Sequence, residues 1–221
     1  MRSTRLSRAS ARPVYGAILV AVALSTTACA SLNKKQEGGA IGAATGAAVG
    51  AVIGNQTGST ARGAIIGAVV GGAAGAIIGH QMDQQAKELK VEIPGATVER
   101  VGEGIQVTFA SGLLYDFDSD AIRADAAQNL QNLATSLKKF PNTNLLIVGH
   151  TDALGSTAYN QDLSSRRASS ASSFLSMQGV GANRLSTSGR GEMEAVASNE
   201  TELGRQQNRR IEVAIYSGSA S

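Results

Sequence analysis

Apolar and polar residues alternate differently in three stretches of the chain. Residues 14–24 (VYGAILVAVAL) form a continuous apolar run. Residues 38–79 combine small apolar residues with glycines at every fourth position. Beyond residue 104, apolar residues recur at two-residue spacing in some segments and at three- or four-residue spacing in others, which predicts a mixture of strands and helices. The pattern therefore divides the chain into a leader, a glycine-rich segment and a folded C-terminal domain.

The leader has the order of an export signal. Four arginines without an acidic partner precede the apolar run, and the small residues STTA follow it at 25–28. A basic region, a short apolar region and a small-residue cleavage site are typical of a secretory signal peptide. The apolar run has 11 residues, which is too short for a comfortable membrane span. Residues 1–28 are therefore predicted to be a signal peptide.

The single cysteine, Cys29, follows this signal directly. The arrangement resembles a bacterial lipoprotein signal, which implies that Cys29 begins the mature protein and carries acyl chains such as palmitate as a membrane anchor. Such a signal has Leu three residues before the cysteine, where this chain has Thr26, so the cleavage step stays open. Ala30 stands where Asp would retain the protein in the inner membrane, which favours the outer membrane. The alternative is a simple secretory signal with an incidental free cysteine.

Glycines in the middle segment recur with helical periodicity. They fall into two uncharged runs, Gly38, Gly42, Gly46, Gly50 and Gly54, and Gly63, Gly67, Gly71, Gly75 and Gly79. A four-residue spacing places each run along one face of a helix. Since each glycine lowers helix stability by about 1 kcal/mol relative to alanine, such runs need compensation by close backbone packing, as between membrane helices. We predict a helical hairpin over 38–79 with its turn at 55–62. The segment resembles the glycine-zipper domains of outer-membrane-associated proteins.

The role of this hairpin has several interpretations. Each arm, at about 1.5 Å per residue, would be about 25 Å long, which is short for an average bilayer but tolerable in a thin outer membrane. Two crossings would leave the C-terminal domain on the same side as the lipid on Cys29. The alternatives are a flexible glycine–alanine linker and a soluble, self-associating hairpin, so the sequence leaves homo-oligomer formation open.

The distribution of charge and of histidines argues against a nucleic-acid partner and against a metal site. The formal net charge is +3, but Arg2, Arg5, Arg8 and Arg12 lie in the leader, and the rest of the chain has 16 basic and 17 acidic residues. The chain has no basic stripe interleaved with aromatic residues, as nucleic-acid binding would require. His80 and His150 lie far apart, so a conventional zinc site cannot be assembled from them. We therefore predict no nucleic-acid partner, no metal and no cofactor.

The C-terminal domain combines strands and helices. Periodicity predicts helices at 123–139 and 158–178, and strands at 105–109, 113–117, 144–149, 184–189 and 210–216. This order predicts an α+β fold, a β-α-β-α-β sandwich over residues 104–218 with helices on one face of a mixed sheet. Residues 29–37 and the polar residues 80–103, with Pro94-Gly95, are predicted to be linkers.

Five strings in this domain carry a specific resemblance. They are LYDFDSDAI (114–122), IVGHTDALGS (147–156), YNQDLSSRRA (159–168), GVGANRLSTSGRGE (179–192) and GRQQNRRIEV (204–213). In this order they resemble the OmpA-like, or OmpA/MotB, C-terminal domain over roughly 105–216. With its leader and glycine runs, the whole chain resembles a YiaD-type lipoprotein of the OmpA family. The resemblance implies noncovalent binding of peptidoglycan through the diaminopimelate of the stem peptide. It places the domain in the periplasm, where it would tether the outer membrane to the cell wall.

The resemblance also assigns ligand-binding residues. Diaminopimelate presents an ammonium and a carboxylate side by side, so its receptor needs one fixed anion and one fixed cation. Asp152, the Asp of HTD, would bind the ammonium. Arg167, the second Arg of LSSRR, would bind the carboxylate with its planar guanidinium. Asn160 can donate to and accept from the same ligand. The further candidates are Phe117, Asp118, Ser119, Thr151, Leu163 and Arg210.

Each assignment has an alternative. Asp152 could cap a turn at Gly155, Arg167 could be a solvated helix charge, and Arg209 and Arg210 could brace the last strand against aspartates. A second candidate function is membrane insertion and oligomerisation by the glycine hairpin, with the C-terminal domain only as an anchor.

An enzymatic function is disfavoured. His150, Asp152, Ser164 and Ser165 are near one another in sequence, but the chain lacks the G-x-S-x-G elbow of a serine hydrolase. The alternating acids Asp116, Asp118 and Asp120 would suit a cation only weakly, because the later Glu and Gly of an EF-hand loop are missing. We therefore predict that the protein is not an enzyme.

Overall fold

The computed structural model describes Gly54, residues 58–70 and residues 76–217. The predicted signal peptide, Cys29, the linker at 29–37 and the first glycine run up to Gly50 lie outside the described residues and stay predictions.

Five strands form one mixed sheet in the order β1-β2-β5-β3-β4. They are β1 (Ala96–Val101), β2 (Gly104–Ala110), β3 (Thr143–Gly149), β4 (Leu185–Gly189) and β5 (Arg210–Ser217). Only β3 and β4 pair in parallel, since a helix between them returns the chain to the same end of the sheet. The predicted α+β fold with a mixed sheet is confirmed.

Helices cover one face of this sheet. They are α2 (Ala76–Glu92), the single turn α3 (Ser111–Leu114), α4 (Ala127–Lys139) and α5 (Thr157–Met177); α6 (Glu202–Asn208) precedes β5. Because successive strand residues point to opposite faces, the alternate residues of β3 and β5 enter the core beneath these helices. That core is mainly aliphatic, since the chain has no Trp and few other aromatic residues. It includes Phe109, Leu130, Leu133, Leu137, Ile147, Leu175, Val213 and Ile215.

The predicted strand at 113–117 is wrong. Residues 111–114 form the turn of helix α3, and Tyr115 makes only an isolated bridge with Ile122. The strand was predicted as a partner for β2, but β2 already pairs with β1 and β5 on its two sides. Leu114 and Tyr115 instead enter the core below the helices.

Residues 80–103, predicted to be a linker, belong to the folded domain. Helix α2 and strand β1 occupy most of this stretch. Its buried hydrophobic residues are Met82, Ala86, Leu89, Ile93 and Val98, all part of the main core. The first four recur at helical spacing, but a narrow apolar stripe among Gln, Lys and Glu residues gives a weak signal. This stripe packs α2 against the sheet and α4.

The second glycine run also differs from its prediction. Helix α1 (Thr60–Val70) begins inside the predicted turn, and α2 begins at Ala76 and continues beyond Gly79 to Glu92. Helix α1 packs on the second face of the sheet, where Ala61, Ala64, Ile65 and Ala68 meet Leu146, Val148, Ala214 and Tyr216. The Thr60 amide donates a hydrogen bond to Glu194 Oε2 at 3.2 Å. This bond satisfies one of the backbone amides that have no partner within the first turn of a helix. Across the described ranges, no helix has both the length and the hydropathy needed for a membrane crossing.

Gly149 marks the closest approach of β3 to α5. A Cβ added there would lie 2.9 Å from the Ser164 carbonyl carbon and nearer still to its oxygen. Since that neighbour is backbone, the helix would have to move away from the sheet. We expect Gly149→Ala to lower the free energy of unfolding by about 3 kcal/mol, measured by urea denaturation. Gly112→Ala is the matched control, because its added Cβ meets nothing within 4 Å, and an equal loss there would contradict the argument.

Candidate functional site

The predicted ligand-binding residues converge on one small cavity. Its volume is about 140 Å³, and it lies where β3 ends, where α5 begins and just before β5. Seven of the nine candidates line it, namely Asp152, Arg167, Asn160, Phe117, Asp118, Thr151 and Leu163, together with Leu154, Tyr159 and Arg209. The cavity is smaller than the roughly 300–1,000 Å³ of sites for drug-sized ligands, so it suits the compact end of a single side chain.

Asp152 is a buried carboxylate held on two sides. It follows the end of β3, and its Oδ1 accepts a hydrogen bond from the Leu154 amide at 2.9 Å. Its Oδ2 lies 2.6 Å from Arg209 Nη1. The residue therefore does cap the local turn, as one interpretation of the sequence expected, and it presents a charge to the cavity at the same time. The turn itself needs Gly155, whose φ is +101°.

Arg167 forms the opposite wall and is not a solvated helix charge. It is only 5% exposed. Its Nε donates to the Ser119 carbonyl at 2.8 Å, Nη1 to Ser111 Oγ at 3.0 Å and Nη2 to the Asp116 carbonyl at 3.3 Å. Its guanidinium carbon lies 5.3 Å from the centre of the Tyr115 ring, within reach of a cation–π interaction. Burial lowers the pKa of Arg167, but a guanidinium stays protonated.

These hydrogen bonds wrap a loop around the guanidinium. Arg167 binds two carbonyls of the segment 116–119, in which Asp118 has a positive φ of 55°. The Tyr115 hydroxyl donates to the Arg167 carbonyl at 2.6 Å. Burial raises the pKa of Tyr115, so that hydroxyl keeps its proton. The loop and the helix thus fix each other, and Arg167 is the link between them.

Asn160 and the loop residues complete the cavity. Asn160 is buried on the first turn of α5, and its Nδ2 donates to Glu192 Oε2 at 2.6 Å. Asp118 accepts a hydrogen bond from the Tyr159 hydroxyl. Phe117 is 99% exposed, which is unusual for a large aromatic side chain and gives the cavity an apolar rim beside Leu154.

Two candidates lie outside the cavity lining. Ser119 contributes its carbonyl to Arg167. Arg210 lies on the second face of the sheet, where its Nε pairs with Glu212 Oε1 at 2.7 Å. Arg210 therefore does not line this cavity, because the alternation of side chains along β5 turns it away, and its part in ligand binding stays a prediction.

Arg209 is a charged cavity residue that the sequence did not assign to the ligand; it pairs with an aspartate, as one interpretation of the sequence expected. It precedes β5, pairs with Asp152, and pairs with Glu202 Oε1 through Nη2 at 2.7 Å. Burial opposes its charge, but the hydrogen bonds with Glu202 and Asp152 outweigh that effect and raise its pKa. The alternation of side chains along a strand could have identified Arg209 from the sequence, since only one of two adjacent arginines can face the cavity.

The geometry does not support an enzymatic function. His150 is buried between two glutamates: its Nδ1 lies 4.0 Å from Glu194 Oε2, and its Nε2 lies 3.8 Å from Glu212 Oε2. Burial lowers the pKa of His150 well below the ordinary value. It lines no part of the cavity that Asp152 faces. In the ranges that the structure describes, no group of three His, Cys, Asp or Glu side chains could hold a metal ion. Asp116 and Asp120 instead pair with arginines.

Comparison with known proteins agrees with the fold. The model of the OmpA family matches residues 114–209, and that of the YMGG-like Gly-zipper matches residues 11–83. The chain is 36% identical over 138 residues to the probable lipoprotein YiaD of Escherichia coli, covering 62% of this chain and 63% of that one. It is 35% identical over 138 residues to a peptidoglycan-associated lipoprotein of Agrobacterium fabrum, covering 62% and 77%. It therefore spans slightly less than two thirds of the first relative.

A solved structure shares the architecture. The cell wall anchor of the T6SS from Pseudomonas aeruginosa superimposes with a TM-score of 0.53 at 27% identity, covering 62% of this chain and 96% of that one. The aligned share exceeds the 114–209 match of the OmpA family model, so the similarity in structure extends beyond that match.

Proposed function

Since the chain belongs to the OmpA family, we propose that its C-terminal domain binds peptidoglycan noncovalently through the diaminopimelate of the stem peptide. The family is a class of non-enzymatic domains, so the ligand is held and not converted. With a lipid on Cys29, such binding would tether the outer membrane to the cell wall from the periplasmic side. The names of two matched proteins, a peptidoglycan-associated lipoprotein and a cell wall anchor, support this proposal.

The observation that carries the proposal is the charge arrangement of the cavity. Asp152 and Arg167 line the same 140 Å³ space, and both are buried. Within the protein, Arg167 is bound by two carbonyls and a hydroxyl, which are neutral, and Asp152 pairs with Arg209 through Oδ2. Because a buried charge favours a charged partner, a ligand that brings a carboxylate to Arg167 and an ammonium to Asp152 would suit this cavity. The end of a diaminopimelate side chain carries both groups on one carbon atom.

Hydrogen-bond capacity is consistent with such a ligand. A guanidinium has five N–H groups, and Arg167 uses three of them within the protein. The remaining donors can meet a ligand carboxylate. On the other side, the Asp152 carboxylate can accept an ammonium in addition to its bonds with Leu154 and Arg209, because two carboxylate oxygens offer about four acceptor sites.

The membrane-inserting alternative receives less support. It requires the second glycine run to pair with the first one within the membrane. Helix α1 instead buries Ala61, Ala64 and Ala68 on the sheet, and the cap from Glu194 holds its start. We therefore assign the described part of this run to the folded domain.

Co-sedimentation with purified sacculi tests the proposed function. The full chain in mild detergent is expected to pellet with sacculi, and free diaminopimelate is expected to displace it. Asp152→Asn keeps the shape but removes the anion, and it should weaken binding at least about tenfold, because a buried charge pair contributes about 2 kcal/mol or more. Asp162→Asn, an exposed acid on α5 that pairs with Arg166, should pellet as the wild type does. Equal pelleting of both variants would refute the site, and a wild type that stays in the supernatant would refute the function.

A further inference from the structure

Five ionisable side chains form a buried cluster on the second face of the sheet, the face that α1 covers. This ionic cluster consists of His150, Arg190, Glu194, Arg210 and Glu212. Four of its members are at most 4% exposed, and the Arg190 side chain is 19% exposed. None of the five lines the cavity that Asp152 faces. The proposed ligand binding therefore leaves the role of this cluster unexplained.

The ionic cluster holds the first residue of α1. The Thr60 amide donates to Glu194 Oε2 at 3.2 Å, and the Thr60 hydroxyl donates to the Glu194 carboxylate as well. Arg190 Nε donates to Thr60 Oγ1 at 2.9 Å. Arg62, the only ionisable residue in α1, pairs with Glu99 instead. Because Glu194 also lies beside His150, separation of α1 from the sheet would expose the cluster to water.

The charges of the ionic cluster are balanced only while His150 is neutral. Arg190 Nε lies 3.7 Å from Glu194 Oε1, and Arg210 Nε lies 2.7 Å from Glu212 Oε1. Each carboxylate thus has its own guanidinium. A proton on His150 would add a positive charge without a counter-charge to a site that is closed to water, and such a charge is costly to bury.

Two observations indicate that His150 is neutral while α1 is in place. Its side chain is completely buried, and neither ring nitrogen has a hydrogen-bond partner among the described residues. Burial, together with the charges of Arg210 and Arg190, lowers the pKa of His150 well below the ordinary value. When α1 separates, water reaches the ring, and the pKa returns toward about 6.5. The separated state then binds the proton more tightly, so the attachment of α1 is complete above about pH 6.5 and weakens as the pH falls below that value.

We propose that the ionic cluster is an acid-sensitive attachment for α1, in which a proton on His150 releases this helix from the sheet while the main core stays folded. Helix α1 lies in the chain between Cys29, the predicted lipid anchor, and the main core. Its 11 residues span about 16 Å as a helix and up to about 36 Å when extended. Release would therefore lengthen the connection between anchor and domain. The inference does not depend on the ligand of the cavity.

Hydrogen exchange of the full chain in detergent, followed by mass spectrometry, tests the inference. Amide protection in residues 60–68 is compared at pH 7.5 and 5.5, after correction for the pH dependence of intrinsic exchange. One proton that binds the separated state with a pKa of about 6.5 predicts that this protection falls about tenfold. Helix α4, whose leucines belong to the main core, is the internal reference and should stay unchanged. A constant value for α1 overturns the inference, and so does an increase, which would mean that the imidazolium binds the two glutamates and strengthens the attachment.

Variants assign the effect to one histidine. His150→Gln and His150→Leu, one polar and one apolar, cannot take up the proton, so the protection of α1 should be the same at both pH values. Either variant suffices if the other does not fold. His80→Gln removes the other histidine, which is exposed on α2, and should keep the tenfold change. A tenfold fall that persists in the His150 variants would assign the acid response to another group and contradict the inference.

Discussion

Arg167→Ala is expected to eliminate binding to sacculi and to destabilise the domain at the same time. The substitution removes the cavity's buried cation and leaves three acceptors without their donor, at Ser111, Asp116 and Ser119. An unsatisfied buried polar group costs about 1–3 kcal/mol. We therefore expect the free energy of unfolding to fall by about 3 kcal/mol and the affinity for sacculi to fall about a hundredfold or more. Urea denaturation and co-sedimentation measure the two effects.

The adjacent arginine provides the control for this prediction. Arg166 is exposed and pairs with Asp162 and Asp120 on the surface, and such pairs contribute about 0–1 kcal/mol. Arg166→Ala should therefore leave stability and pelleting nearly unchanged. Arg167→Lys distinguishes charge from geometry, since an ammonium cannot reproduce the planar set of three hydrogen bonds. Should Arg167→Ala pellet as Arg166→Ala does, Arg167 is structural and the carboxylate site lies elsewhere.

The sequence predicted the elements that have strong periodicity. In β5, Ile211, Val213 and Ile215 alternate, and all three are buried in the main core. The long helices differ from their predicted bounds by no more than a few residues. The cavity could be anticipated in outline because the HTD motif follows a strand and the LSSRR motif lies on the next helix. The end of that strand and the helix therefore lie close together at one end of the sheet.

The errors have a common physical cause, which is that short-range periodicity does not specify which partner an element meets. LLYDF alternates like a strand, but β2 has no open side for it. The glycines at 63 and 67 predicted helix–helix packing, yet α1 uses its alanines against the sheet. Arg209 and Arg210 are adjacent in sequence and face different environments, one the cavity and the other Glu212.

The fragment 104–221, which begins at the sequence-predicted boundary, is expected to be unfolded or barely stable. It lacks α2 and β1, and therefore the buried side chains Met82, Leu89, Ile93 and Val98. Burial of one large aliphatic side chain contributes roughly 1.5–3 kcal/mol, so the four together contribute on the order of 6 kcal/mol or more. A domain has only about 5–15 kcal/mol of net stability. The loss of β1 also leaves β2 as an unpaired edge.

Urea denaturation followed by circular dichroism would compare this fragment with residues 76–221, which keep α2 and β1 and, of the elements that the structure describes, lack α1. The longer fragment is expected to unfold cooperatively, because α1 contributes mostly small alanine side chains to its contact. Leu89→Ala in the full chain tests the same packing without a truncation. That residue is fully buried, so about 2–5 kcal/mol should be lost, whereas the exposed neighbour Lys90→Ala should have little effect. If the fragment 104–221 unfolds at the same urea concentration as 76–221, α2 and β1 are appendages, and the boundary predicted from the sequence is the right one.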